Sequence, residues 1–242
     1  MSNQSKLAAL ASTGVTKAEL NNIDGGTARG TTAVADGDGF LTNDGGTMRM
    51  TKVDTLATYM GTKITGGSLV YIASSGAISN EATVQFRAQD GHFDATKYDH
   101  YEFWFQHVIP VNDNVNFKAR TSTNNGGAYA SGSGDYHVAG AVDRDGLVVT
   151  YSGVGSDTNE FGISGKFYLF SPHTTSAYTY AKTTTVYQSQ STGAINGGQT
   201  NSPNNGISAR LAAEDVDAIQ FLFATGNIES GEIVMYGIAN GT

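Results

Sequence analysis

The stretch from Tyr98 to Ile109 most constrains what this chain can fold into, because its large side chains alternate in sequence. Successive side chains of a β-strand point to opposite faces of the sheet. A strand here would carry two sets of side chains, Tyr101, Phe103, Phe105, His107 and Ile109 on one face and His100, Glu102, Trp104, Gln106 and Val108 on the other. We therefore predict a strand that turns an aromatic face toward a core.

The sequence that follows extends this two-residue period. After a turn from Pro110 to Asn114, Val115, Phe117 and Ala119 alternate with polar residues, which predicts a half-buried hairpin with the preceding strand. Further strand-like runs occupy residues 136–142, 147–151, 161–170, 178–187, 207–211, 216–223 and 231–238. The chain has 31 glycines and only 3 prolines, a mixture that suits short strands joined by tight turns. We predict a mainly β fold, a β-sandwich or jelly roll.

Residues 1–64 have a different pattern. Thr16 to Glu19 forms a capping-box sequence before a very short helix, and Thr51 to Asp54 forms a second one. The second helix, which we expect to stop at Gly61, would share one apolar face made of Val53, Leu56, Ala57, Met60 and Ile64. Such short helices need a partner. A stalk around a threefold axis is therefore predicted, with a larger partner protein or an unstructured leader as alternatives.

Composition excludes several classes of function. The chain has no cysteine, so disulfides and thiolate chemistry are ruled out. No stretch approaches the roughly 20 apolar residues that span a bilayer, and we expect no membrane insertion. A net charge of −8 argues against nucleic-acid binding, which depends on clustered Lys and Arg. The first ten residues lack a secretory signal, which predicts assembly in the cytoplasm.

The residues that carry chemistry form no recognisable catalytic or metal motif. The acidic run from Asp36 to Asp44 departs from the calcium-loop pattern, because Phe40 and Thr47 stand where ligands are required. The five histidines share no metal-ligand spacing: His92, His100, His107, His137 and His173. Two carboxylate pairs, Glu214 with Asp215 and Asp143 with Asp145, have no spacing that identifies a glycosidase. We expect no enzyme activity, no cofactor and no metal site.

Two segments carry a family resemblance. Tyr98 to Tyr136, YDHYEFWFQHVIPVNDNVNFKARTSTNNGGAYASGSGDY, and Ile219 to Ile238, IQFLFATGNIESGEIVMYGI, resemble the jelly-roll domain of phage fibre and virion proteins. Gly39 to Ile64 is similar to a linker-and-helix unit upstream of such heads, and Thr16 to Gly25 to shaft elements of long fibres. The resemblance implies a jelly-roll β-sandwich head over residues 65–242, closed by a hairpin at Gly226-Asn227, after a virion-docking stalk over residues 1–64.

This resemblance implies a structural virion protein of a tailed bacteriophage. The expected form is a homotrimeric tail fibre or fibre-like spike that is assembled in the host cytoplasm and contacts other virion proteins through its N-terminal region. A capsid decoration protein, head fibre or tail adaptor with a purely structural role is the alternative. A polysaccharide-degrading enzyme is the third and weakest reading, because phage enzymes of that kind usually carry the rung-like repeats of a β-helix.

Three aromatic residues are the candidate contact residues. Trp104, the only tryptophan, is predicted to contact a ligand or another subunit, unless both faces of its strand are buried and it belongs to the core. If the head binds the host, surface glycan is the expected ligand. Tyr178 and Tyr180 would then stack on sugar rings from one side of an extended segment, unless they pack on the core or at the trimer seam.

Overall fold

The computed structural model describes residues 33–63, 69–138, 141–189, 195–197 and 206–239, and it divides the chain into two compact units, Met1–Ile64 and Thr65–Thr242. The chain is mainly β, with several antiparallel sheets. The capping-box sequence at Thr16 lies outside the described residues.

The first unit contains a β-hairpin that the sequence analysis did not anticipate. Strand β1, Gly39–Asp44, pairs antiparallel with β2, Thr47–Lys52. Gly45 and Gly46 join the strands with φ angles of 58° and 95°. Two successive positive φ angles are what a two-residue hairpin turn requires, and glycine adopts them at little cost. Glycines that look like linker in the sequence therefore form the turn of an ordered hairpin.

Helix α1, Val53–Lys63, follows directly from β2 and differs from its prediction at both ends. Thr51 does not cap it, because Thr51 is a strand residue whose hydroxyl lies 2.6 Å from that of Thr42. Gly61 does not stop it, because one glycine inside a helix costs only about 1 kcal/mol. Leu56 and Met60 are exposed, so residues 33–63, the described part of this unit, do not bury these two members of the predicted apolar stripe.

The second unit consists of fourteen strands and one short 3-10 helix, Ala88–Asp90, among the residues that the structure describes. The strands are β3 Leu69–Ser74, β4 Ile78–Glu81, β5 Val84–Arg87, β6 Tyr98–Pro110, β7 Phe117–Ser122, β8 Tyr136–Val138, β9 Ala141–Arg144, β10 Leu147–Val148, β11 Ile163–Phe170, β12 Tyr180–Gln188, β13 Ile195–Gly197, β14 Ile207–Arg210, β15 Ala218–Phe223 and β16 Ile228–Ala239.

These strands form two antiparallel sheets. The large sheet has the order β3-β16-β6-β11-β12-β14-β8-β9, with β4 paired to β16 and β13 paired to β12. The small sheet has the order β10-β7-β15-β5. Some neighbours are consecutive in sequence, such as β11 and β12, but others are far apart, such as β3, β16 and β6, because the chain crosses repeatedly between the two sheets.

One hydrophobic core lies between the two sheets. Phe103 and Phe105 of β6 and Phe167 of β11 point inward from the large sheet, and all three are buried. They meet Phe221 of β15, whose ring centroid lies 5.1 Å from that of Phe103 and 5.6 Å from that of Phe167. The predicted inward face of the Tyr98–Ile109 strand is therefore confirmed for its phenylalanines.

The predicted hairpin between β6 and β7 is wrong. Strand β6 already has β16 on one side and β11 on the other, so no edge remains for β7. The turn that ends in Asn114, with φ 57°, instead carries the chain into the small sheet, where β7 pairs with β15 and β10. Alternation made both segments half-buried strands, but it could not tell pairing within a sheet from packing across a core.

The predicted closing hairpin at Gly226-Asn227 is also wrong. Strands β15 and β16 on either side of it lie in different sheets. Gly226 has φ 77°, and a Cβ there would lie 2.7 Å from Asn112 side-chain atoms. The Asn227 carbonyl accepts a hydrogen bond from the Val111 amide at 2.9 Å. The two turns that cross between the sheets therefore lie against each other at one end of the unit.

Candidate functional site on the outer face of the large sheet

The outer face of the large sheet carries a continuous aromatic surface. Alternation along β6 buries Tyr101 and Phe103 and places Glu102 and Trp104 on the opposite side. Strands β16 and β11 flank β6, and their outward side chains fall in register with those of β6. We call this surface the aromatic face and define it by Tyr71, Trp104, Lys166, Tyr168, Phe170 and Tyr236.

One half of the aromatic face is a row of rings across three strands. The Tyr236 ring centroid lies 4.8 Å from that of Trp104 and 6.0 Å from that of Tyr71, which it meets edge-on. Edge-on and tilted contacts at these distances are favourable aromatic geometries. Tyr71 lies on β3 at the border of the sheet and is 60% exposed. The row therefore runs from a half-buried centre to an open rim.

Trp104 is contacted from the strands on both sides of β6. Lys166 of β11 places its Nζ 4.3 Å from the ring centroid, and the ring of Tyr236 on β16 lies 4.8 Å away at an interplanar angle of 42°. The indole Nε1 donates a hydrogen bond of 2.9 Å to Glu102, which also accepts one of 3.3 Å from Lys166. Trp104 is half-buried on the outer face and does not belong to the core. These contacts leave only part of the indole accessible to a partner.

The other half of the aromatic face lies on β11. The rings of Tyr168 and Phe170 are parallel, with an interplanar angle of 7° and centroids 6.2 Å apart. His100 of β6 meets Phe170 at 5.6 Å. In the next strand, Tyr180 is the register partner of Phe170, so it projects from the same side of the sheet. Phe170 thus lies between Tyr180 and the strands at the centre of the large sheet.

The structure places the three candidate residues on the solvent side of this sheet. Tyr180 is 51% exposed and Tyr178 is 45% exposed, with buried Thr179 between them. The core alternative is therefore wrong for both tyrosines and for Trp104. The candidates form two groups, because Lys166, Tyr168 and Phe170 lie between Trp104 and the tyrosine pair. Sequence reasoning did not select these intervening residues.

The outer face of the small sheet has a different chemistry. Lys118 and Arg120 of β7 point outward, beside Gln85 of β5 and Gln220 of β15. Asp145 accepts hydrogen bonds from Lys118 Nζ at 2.5 Å and from Arg120 Nη2 at 2.6 Å. Polar and charged side chains therefore cover the outer face of the small sheet, whereas aromatic rings cover the outer face of the large sheet.

This ion-pair cluster predicts a pH dependence of stability. Burial alone would raise the pKa of Asp145, but hydrogen bonds from Lys118 and Arg120 outweigh it and hold the pKa below its ordinary value of 3.8. A carboxylate whose folded pKa is lowered stabilises the fold fully above its unfolded pKa, and the contribution is lost as the pH falls through the folded pKa. Because Asp145 is nearly half exposed, we expect less than about 1 kcal/mol.

Urea unfolding of wild type and Asp145→Asn as a function of pH measures this effect. Wild type should be more stable than Asp145→Asn by a constant amount above about pH 5, and this advantage should shrink below about pH 4. In the asparagine variant the main-chain oxygen of residue 145 still accepts the 2.8 Å hydrogen bond from Arg120 Nε. The two proteins therefore differ only in the side-chain charge. A difference that stayed constant down to about pH 3 would contradict the assignment.

A hydrogen-bonded relay at one end of the core resembles a catalytic arrangement. The Tyr101 hydroxyl lies 2.9 Å from His173 Nε2, and His173 Nδ1 lies 2.9 Å from Asp215. The Asp94 amide donates to the same hydroxyl at 2.9 Å. Tyr101 is fully buried, and burial raises the pKa of its hydroxyl, so it stays neutral and cannot reach a substrate. The relay therefore ties loops to β6.

Of the two carboxylate pairs noted in the sequence, Glu214 and Asp215 contact different partners, and the side chain of Asp143 lies outside the described residues. Glu214 lies 3.3 Å from Arg210, whereas Asp215 faces His173. A cavity of about 260 Å³ lies beside Arg210 and Glu214, with Tyr129 in its lining. The charged groups of this cavity are committed to each other, so the aromatic face is the stronger candidate. Within the described residues, no group of three or more His, Asp or Glu side chains is placed to hold a metal ion.

Comparisons with known proteins do not assign this chain to a family. No family model matches the chain, and the search of curated proteins finds no match. Among the described residues, no helix has both the length and the apolar character needed to cross a membrane.

Proposed function

We propose that this chain is a structural appendage protein of a tailed bacteriophage, a homotrimeric tail fibre or fibre-like spike that resides in the virion. Residues 65–242 form its head and residues 1–64 its docking stalk. The observation that carries the proposal is the order of strands in the second unit, together with a broad aromatic surface on one sheet only. Both features suit a part that assembles with other proteins.

The strand order supports a jelly roll for the head. Along the chain, β3 is in the large sheet, β5 in the small, β6 in the large, β7 and β10 in the small, β11 in the large, β15 in the small and β16 in the large. Wrapping of this kind, with neighbours drawn from opposite ends of the chain, is typical of the double Greek key of a jelly roll. The proposal takes β8, β9 and β12–β14 as additions that extend one edge.

The stalk proposal depends on the first unit. Helix α1 exposes Leu56 and Met60, which are apolar side chains on one face of an eleven-residue helix. Helices of this length are marginal in water unless tertiary contacts cover their apolar face. Copies of the same helix around a common axis, or another virion protein, would provide that cover. A capsid decoration protein or a tail adaptor would use the same surfaces and remains the alternative role.

Host attachment is the second part of the proposal. Tyr178 and Tyr180 are exposed beside a segment rich in Ser, Thr, Gly and Asn, and tyrosine offers sugars an apolar ring with a polar edge. These two residues are the ones proposed to contact a host surface glycan. Trp104, which Lys166 and Tyr236 already contact, is proposed for the contact with another subunit, the other role predicted for it. We propose no cofactor, no metal, no nucleic acid and no catalytic residue for this role.

Labelling of phage particles tests the proposal directly. An antibody raised against residues 65–242 should bind purified particles at the tail fibres when they are viewed by negative-stain electron microscopy. The matched control is the same antibody after absorption with recombinant protein, which should leave particles unlabelled. Label on the capsid would favour the decoration alternative. Particles that contain no copy of the chain by labelling and mass spectrometry would overturn the proposal.

A further inference from the structure

We propose that the aromatic face is the surface through which one copy of this chain packs against another. This deepens the homotrimer part of the proposed function, on which it rests, by naming the surface involved. Four steps support it: the extent of the surface, its charge balance, the closed environment of Trp104 and the contrast with the small sheet.

The apolar surface is wider than a single ligand needs. It extends over β3, β16, β6, β11 and β12, which is about 20 Å across at the usual strand spacing. The register places Leu69 in the row of Phe170 and Val186 opposite Ser164. Ile207 of the neighbouring strand β14 continues the row of Tyr168 beyond Lys182. Lys166 and Lys182 interrupt this surface, which is therefore a mixture of rings, aliphatic side chains and charges of the kind found at protein interfaces. A protein surface is therefore the fitting occupant.

The charges of this surface point to a second copy as that protein. The outward residues of the five strands include two acids, Glu102 and Glu232, and two lysines, Lys166 and Lys182. The whole chain, in contrast, carries a net charge of −8. Around a shared axis the contact consists of copies of this one surface, so a patch of balanced charge avoids net repulsion, whereas partners of strong net charge gain no attraction from it.

The surroundings of Trp104 argue against a sugar at the centre of the face. Sugar stacking requires an open ring face, but the Lys166 ammonium and the Tyr236 ring already pack against this indole. The Glu102 carboxylate, which could accept sugar hydroxyls, already accepts bonds from Trp104 and Lys166. A protein partner can instead pack on the ring edges and on the aliphatic side chains around them. Buried aromatic anchors of this kind dominate protein interfaces.

The contrast between the two sheets supports the same assignment. Both outer faces belong to one unit and meet the same solvent, yet only the large sheet presents rings there. The small sheet is covered by Gln85, Lys118, Arg120 and Gln220, with Asp145 bridging the two cations. Solvation alone would favour polar residues on both sheets. We therefore assign this difference to a contact with another copy that only the large sheet makes.

Light scattering coupled to gel filtration on the full chain tests the inference. Wild type should be oligomeric at micromolar concentration. Tyr71→Lys and Ile207→Lys, on two sides of the surface, should each raise the dissociation constant at least tenfold, because each places a charge in an apolar contact. Tyr151→Lys is the matched control, since Tyr151 lies outside the aromatic face and is 47% exposed. Its oligomeric state should not change. All variants should keep the far-ultraviolet circular dichroism spectrum of wild type, and only the two that dissociate should melt lower, by the stabilisation that association gives the native state.

The single tryptophan supplies an independent readout, because Trp104 lies at the centre of the aromatic face. Its fluorescence should shift to longer wavelength as wild type dissociates on dilution, with the same midpoint as the mass. A monomeric wild type overturns the inference, including one that binds host glycans. So does an oligomer that both lysine variants leave intact, although appendage labelling on particles would still stand. A dissociating Tyr71→Lys variant with unlabelled particles supports the interface and removes only the virion role.

Discussion

Replacing Phe221 by alanine is expected to lower the free energy of unfolding by about 3–5 kcal/mol, the usual cost of removing a fully buried phenylalanine. Phe221 is inaccessible to solvent and lies among the rings of Phe86, Phe103, Phe105 and Phe167. Three of those rings come from β6 and β11 of the large sheet, and the fourth comes from β5 of the small sheet. The cavity would therefore open between the sheets, where rigid strands limit its collapse.

Urea unfolding followed by far-ultraviolet circular dichroism measures this change, and Phe161→Ala is its control. Phe161 is the same residue type but is 72% exposed, so its removal should cost less than about 0.5 kcal/mol. Equal effects of the two substitutions would show that Phe221 is not at the centre of the core. Whole domains are stable by only about 5–15 kcal/mol, so the Phe221→Ala protein should also melt at a clearly lower temperature than wild type.

Replacing Gly165 by alanine is expected to cost roughly 2–5 kcal/mol, which combines steric overlap and backbone strain. Gly165 lies in β11 between β6 and β12, at an irregularity in the β6 register. Its φ is 137°, a conformation that residues with a Cβ rarely adopt. A Cβ would overlap the Thr184 carbonyl oxygen and lie 2.7 Å from Thr185 Cα, and both atoms are backbone. The overlap can be relieved only by moving a strand.

Two other glycines separate the sources of this cost. Gly76 has φ 64°, and no atom lies within 4 Å of the position that a Cβ would take, so Gly76→Ala should show only the left-handed penalty of about 1–2 kcal/mol. Gly134 has open space and no positive φ, so Gly134→Ala should be near neutral. Unfolding free energies should rank the cost at Gly165 well above that at Gly76, and the cost at Gly76 above that at Gly134. A Gly165→Ala protein as stable as the Gly76→Ala protein would refute the close strand approach.

The sequence alone predicted individual strands better than their partners. Alternation from Tyr98 to Ile109 identified β6 and the inward direction of Phe103 and Phe105, because side-chain period is a local property. The partners of β6 could not be found in this way. Turn residues at Asn114 and Gly226 have the same composition whether the chain reverses within one sheet or crosses to the other. The crossing depends on which edges are already occupied.

The candidate site was predictable to a similar degree. Trp104 and Tyr180 were selected as outward aromatics from local spacing, and the structure places both on the solvent side of the large sheet. Lys166 and Tyr236, which enclose Trp104, were missed because they reach it from strands far along the chain. Alternation of Val234, Tyr236 and Ile238 along the last strand was the one available signal. It marks a face without saying what lies beside it.

The position of β16 also determines when the second unit can fold. This last strand lies between β3 and β6, and the Ser74 hydroxyl bonds Glu232 across a sequence separation of 158 residues. During synthesis, β3 and β6 leave the ribosome long before the strand that joins them, so the large sheet stays divided until translation of the unit is almost finished. Long-range pairing of this kind makes folding slow and leaves apolar strands exposed in the meantime. The inward faces of β3 and β6 therefore wait for β16 before the hydrogen-bonded ladder that joins these strands can close.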